Sequence, residues 1–145
     1  MMLQNLLNLI SFVTAIRILV FLNSIVLIFH LFVLFQIIPY TIVWAGKLNS
    51  LEEMYAFESV SILVNLILLI VVLIRGNIWK VSTSKRLLDI ILWIFVFIFA
   101  LNTIGNLFAA TSLELYLATP LTFFLFYLCL RITSQVDNYI GTNKS

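Results

Sequence analysis

Residues 57–74 read FESVSILVNLILLIVVLI, and this stretch decides what kind of protein the chain makes. Glu58 is its only charge. A run of about 18 apolar residues, rising 1.5 Å each as a helix, is what a hydrocarbon core of about 30 Å requires. Three more stretches share this character, at 18–38, 87–107 and 115–130. Across the 145 residues, hydrophobic side chains make up 63% and charged ones 10%, more apolar surface than a soluble domain of this length can hide. The predicted fold is an all-α integral membrane protein: one domain over 1–145, built as a bundle of four transmembrane helices, with an outer loop at 40–50 and a cytoplasmic loop at 76–86.

The ends of the spans carry helix punctuation. Ser50-Leu-Glu-Glu53 is an S-x-x-E capping box ahead of the second span, and Thr111-Ser-Leu-Glu114 repeats it ahead of the fourth. Pro39 closes the first span, Gly76-Asn77 closes the second, and Ser82 or Ser84 can cap the third. Before the first span, Leu3, Leu6, Leu7, Ile10 and Val13 share one helical face and Gln4, Asn8 and Ser11 another. This pattern fits an interfacial helix or an inward extension of the span, and the lack of charge favours the extension. The segment from Leu6 to Ala15 has no basic residue before Arg17 and no small-x-small cleavage site, so it is read as retained. After Thr133 the tail is short and polar.

Basic residues set the direction. Arg17, Arg75, Lys80, Lys85, Arg86, Arg131 and Lys144 fall on one side of a four-span chain and Lys47 alone on the other, so both termini are expected in the cytoplasm. Tyr40, Trp44, Tyr55 and Tyr116 would then form an outer aromatic belt, with Trp79 and Tyr139 on the inner side. The net charge of +2 is small and spread over helix ends, which argues against nucleic-acid binding. One cysteine, Cys129, excludes an intrachain disulfide and a CxxC pair.

Polar side chains inside the spans need individual explanations, because an ionisable group at the bilayer centre costs about 2.5–3.5 kcal/mol on insertion scales. Glu58, Ser61 and Asn65 lie on one face of the second span; Asn23 and His30 are seven apart in the first; Asn102 and Asn106 flank Gly105 in the third; Thr119 and Thr122 surround Pro120 in the fourth. Most of them fall in the outer half. Turned inward, these stripes would give a bundle with a polar outer core over a dry inner floor. Two explanations compete for them. In one, Asn, Ser and Thr hydrogen-bond across helices, Gly105 allows close packing, Glu58 snorkels to water and His30 donates to a backbone carbonyl. In the other, Glu58 and His30 form a titratable pair that binds a proton, cation or polar ligand, with Asn102, Asn106, Ser61, Asn65, Thr119 and Thr122 around it. Gln36, about 120° round from His30, reads as interfacial.

No GxSxG, HExxH, CxxC, P-loop or GxGxxG motif is present. One His and one Glu fall short of a three-ligand catalytic zinc site, so neither a metal nor a cofactor is expected.

The passage Ile38-Pro-Tyr-Thr-Ile-Val-Trp-Ala-Gly-Lys-Leu48, the segment Glu52-Glu-Met-Tyr-Ala-Phe-Glu58 and the segment Leu101-Asn-Thr-Ile-Gly-Asn-Leu107 resemble a group of small bacterial membrane proteins of Bacteroidetes type. Those read W-G-G-[KR]-L, E-E-M with a following F-E, and L-N-T-x-G-N. Ala45 departs from the pattern by replacing the first Gly. The resemblance implies four spans and the bacterial inner (plasma) membrane, and it carries no activity.

The expected function is binding of a small polar ligand or lipid headgroup in an outward-facing pocket, without catalysis. An accessory or scaffolding subunit of a larger membrane complex is the alternative, with Trp44, Gly46 and Lys47 as its docking loop; a membrane enzyme acting on lipid is the weaker one. Transport by so small a bundle would need a homo-oligomer.

Overall fold

The computed structural model describes residues 7, 9–109 and 111–134. It is all-helical, with four helices long and apolar enough to span a membrane and no strand among the described residues. In order these are α1 (Phe12–Leu34), α2 (Leu51–Arg75), α3 (Lys85–Leu107), a π-helical segment (Glu114–Ala118) and α4 (Thr119–Thr133), which continues it. Large apolar side chains stay exposed along every helix, including Phe21 (65%), Val60 (61%) and Phe97 (65%), as lipid-facing helices require.

Helix ends are set by backbone chemistry more than by where the apolar run stops. Ser11 caps α1 by accepting from the amide of Thr14, so the helix begins at Phe12, ahead of the predicted Ile18. The helix thus lengthens the first span back to Phe12 and no further: Leu9 and Ile10 lie in a turn and a bend outside it, so the extension expected from Leu3 onward does not continue α1; Leu3, Gln4, Leu6 and Asn8, assigned to its faces, lie outside the described residues. At the far end α1 stops before Pro39 is reached. Gln36 takes a left-handed backbone (φ 58°), and the amides of Gln36 and Ile37 turn back to the carbonyls of Val33 and Phe32. This is a Schellman closure built on a non-glycine residue. The end of α2 repeats it with Asn77 (φ 55°) as the left-handed residue. Ser50 accepts from the Glu53 amide as the capping box requires, and the Glu53 carboxylate reaches back to the Asn49 amide. Ser84 takes the N-cap position of α3 without a side-chain bond.

The helices pair as antiparallel hairpins. α1 packs on α2 and α3 packs on α4; α1 and α4 join the two hairpins, and α2 touches α3 less than any of these pairs touch. One end, here the basic end, holds Arg17, Arg75, Lys80, Lys85, Arg86 and Arg131. There Arg75 Nε donates to Asp89 Oδ1 at 2.9 Å with its guanidinium 5.1 Å from the Phe12 ring centre, and Arg131 Nε donates to the carbonyl of Ile10 at 2.8 Å. Lys144 and Tyr139 lie outside the described residues.

The main core fills the half of the bundle next to the basic end, with Leu19, Leu68, Leu92 and Leu128 wholly buried at its centre. One half of the bundle is therefore dry, at the end that carries the basic residues. A second, smaller core of Val33, Val43, Leu48 and Met54 closes the opposite, loop end. Val43 and Leu48 come from the connection between α1 and α2, so that connection is bolted onto the helix tops by two apolar side chains.

Candidate functional site

The loop end brings three side chains from three elements to one point. α1 carries His30 past its midpoint; α2, started at Ser50 by its capping box, carries Glu58 in its third turn, one turn beyond buried Met54; the connecting loop supplies Trp44. His30 Nδ1 lies 2.7 Å from Glu58 Oε2, and Trp44 Nε1 donates to Glu58 Oε1 at 2.9 Å. Glu58 is 1% exposed, so it is fully withdrawn from water, and both carboxylate oxygens are occupied. It does not snorkel, and His30 bonds it instead of a backbone carbonyl.

A buried carboxylate in lipid is sustained only by such partners. The Nδ1–Oε2 bond needs one proton, which either atom can carry, and the pair is paired and hydrogen-bonded in both arrangements. Trp44 serves both, since Oε1 accepts in either form. The His30 side chain keeps 17% of its surface exposed, and no described residue hydrogen-bonds its Nε2. A carboxylate that holds Nδ1 fixes the ring and leaves Nε2 as the nitrogen available to a ligand.

Trp44 reaches Glu58 through an unusual backbone. The loop makes two 3₁₀ turns, Tyr40–Ile42 and Trp44–Gly46, with extended Val43 between them. Trp44 itself lies in the left-handed region at φ 54°, followed two residues later by Gly46 at φ 67°. For a bulky residue this conformation costs on the order of 1–3 kcal/mol and persists where its surroundings over-determine it. Here they are the Glu58 bond, the Phe57 ring with centroids 4.9 Å apart, and the flanking plugs Val43 and Leu48. At Gly46 the left-handed backbone is what favours glycine, since a Cβ there would meet the Thr41 carbonyl oxygen only at an ordinary contact distance of 3.4 Å.

Trp44 also lines a cleft of about 310 Å³, together with Lys47, Leu48, Asn49, Glu53 and Phe57. One residue thus belongs both to the wall of this cleft and to the hydrogen bonds of the buried pair. Lys47 makes no ion pair with any described residue.

Deeper along the same α1–α2 seam, about 10 Å by the seven-residue step from His30, Asn23 Nδ2 donates to the Asn65 carbonyl at 2.9 Å, and Asn65 Nδ2 donates to the Ser61 carbonyl at 2.8 Å. Asn23 is 1% exposed and its Oδ1 has no partner among the described residues. Asn23 and His30, seven apart in the sequence, both bond to α2, a partner that the spacing alone did not name.

The remaining predicted residues form no single pocket with these. Thr103 and Asn106 of α3 donate to Thr122 Oγ1 at 3.1 and 3.4 Å, and Thr122 donates in turn to the Ala118 carbonyl at 2.9 Å. Thr119 donates to the Glu114 carbonyl at 3.1 Å inside the π-helical turn that precedes Pro120. The widened turn is how the chain accommodates a proline within a span. Asn102 is exposed on the outer surface of α3, and a Cβ added at Gly105 would meet nothing within 4 Å. One inward polar core is thus replaced by two separate clusters, one per hairpin, because each hairpin satisfies its own polar groups. Trp44, read from the sequence as a docking-loop and aromatic-belt residue, is the partner of Glu58 that periodicity misses: it sits in a loop, fourteen positions away, where no repeat points inward.

Among the described residues no three of His, Cys, Asp and Glu are grouped to hold a metal ion. In comparison with known proteins, the chain matches no family model, no curated protein and no solved structure.

Proposed function

We propose that this multi-pass membrane protein binds a small polar ligand or lipid headgroup at its loop end, with the Trp44–Glu58–His30 constellation as the sensing element beneath the cleft. The bias of basic residues supports a cytoplasmic basic end and an outward loop end, and the resemblance noted above supports the bacterial inner membrane. The observation that carries this reading is the double role of Trp44, which walls the open cleft and holds a buried carboxylate from a strained backbone. Strain concentrated at a solvent-facing wall is a feature of ligand clamps. Lys47, the single basic residue at that end, favours a ligand carrying an anionic group, while Phe57 and Leu48 supply an apolar wall.

The test uses the fluorescence of Trp44 in a Trp79→Phe/Trp93→Phe background, titrated with glycerol 3-phosphate and with a lysophospholipid. A saturable emission shift that Lys47→Gln abolishes is expected. No shift with either probe sinks the reading.

A second reading, an accessory subunit in a larger complex, draws on one observation. Asn102 presents an amide on the outer face of α3 beside Gly105, where a partner helix has room to approach. Co-purification of a protein lost on Asn102→Leu, with glycerol 3-phosphate binding absent, would favour it.

A further inference from the structure

A second cleft, of about 170 Å³, opens at the opposite end of the α1–α2 hairpin and is lined by Phe12, Val13, Ile16, Arg17, Gly76 and Ile78. We propose that it docks the headgroup of an anionic phospholipid, with Arg17 holding the phosphate and the apolar walls receiving the first acyl methylenes. This site is independent of the loop-end cleft and of any function proposed there.

The cleft is built by the way α2 ends. A Cβ at Gly76 would lie 2.7 Å from Ile16 Cγ2, so the glycine lets the last turn of α2 press directly onto α1. Left-handed Asn77 then reverses the chain, and Ile78 bonds back to Leu73 through its amide. Ile78 (53% exposed) and Val13 (55% exposed) both line the cleft, so its apolar lining is open to the surroundings.

Arg17 is the reason to expect an anion between them. The basic end has other arginines at the helix boundaries, and the structure occupies two of them internally: Arg75 on Asp89 and Phe12, Arg131 on the Ile10 carbonyl. Arg17 makes no ion pair or hydrogen bond with any described residue. It stands five residues inside α1, about 7 Å from the helix start. Side chains on a helix lean toward its N-terminus, so a guanidinium here extends toward the basic end and into the cleft. A planar fork at this depth matches a phosphate bidentately. Lys80 and Arg86, exposed at the same end of the bundle, add a diffuse positive field that favours a net anionic lipid over a zwitterionic one.

Native mass spectrometry of the full chain, released from vesicles of phosphatidylglycerol and phosphatidylethanolamine in equal amounts, tests this. The wild type should retain phosphatidylglycerol preferentially; Arg17→Gln should lower that retention about tenfold, and Arg17→Lys should lower it less. The double variant Lys80→Gln/Arg86→Gln should lower it no more than about threefold. Equal losses in Arg17→Gln and the double variant mean diffuse attraction and overturn the proposal, as does equal retention of both lipids by the wild type. If Arg17→Gln loses helicity, a photoactivatable phosphatidylglycerol replaces it: labelling within 12–17 and 76–79 supports the site, and labelling elsewhere overturns it.

Discussion

Trp44 holds Glu58 and Glu58 holds Trp44: a 2.9 Å bond joins a left-handed loop residue to a carboxylate 1% exposed, fourteen positions further along the chain. Removing either partner leaves the other in a position it cannot sustain alone.

Trp44→Phe keeps the ring against Phe57 and removes only the N–H. It leaves Glu58 Oε1 buried without a donor, a loss of about 1–3 kcal/mol. The thermal midpoint in detergent should fall accordingly. Against a Glu58→Gln background, whose amide oxygen is also an acceptor, the same change should cost less, because the stranded atom is no longer part of a carboxylate. Strict additivity of the two changes would sever the link between them.

His30→Ala takes one of two partners from a buried carboxylate, for which losses of about 3–5 kcal/mol are typical. Adding Glu58→Leu should restore part of that loss, since no unpaired charge then remains. Stability curves of the two variants, measured in the same detergent, decide the matter; a double variant no better than His30→Ala contradicts the account.

Asn23 offers the opposite sign. Its Oδ1 is buried without a partner among the described residues, and its amide N–H bonds a helix carbonyl. Asn23→Leu fills the space and removes a desolvated acceptor, so stability should stay within about 1 kcal/mol of wild type or rise. Asn23→Asp places a carboxylate beside the Asn65 carbonyl and should be strongly destabilising. A large loss on Asn23→Leu would show that Oδ1 is satisfied in the membrane.

Gly76→Ala drives a methyl to 2.7 Å from Ile16 Cγ2. The backbone there (φ −79°) admits alanine, so the effect is packing alone, about 1–3 kcal/mol of overpacking. Ile16→Ala, which deletes the opposing methyl, should make Gly76→Ala nearly harmless in the double variant. Thermal denaturation of the four chains measures this coupling directly.

Four spans, their approximate places, the capping box at Ser50 and the dry half of the bundle were legible in the chain, because a hydrocarbon core selects length and apolarity, and both are local properties of a segment. The same holds for His30 and Asn23 sharing one face, since a seven-residue spacing keeps two side chains on one side of a helix whatever the neighbour; that the neighbour is α2 came from the packing. Tertiary structure decided the rest. The end of α1 depends on Gln36 adopting a left-handed turn, which propensity does not foretell. The split of the polar residues into two clusters follows from each hairpin closing its own hydrogen bonds, and it left Asn102 outside. Trp44 joined the site only because Val43 and Leu48 anchor the loop over the helix tops and aim the indole down at Glu58, an outcome of packing between segments that no single segment encodes.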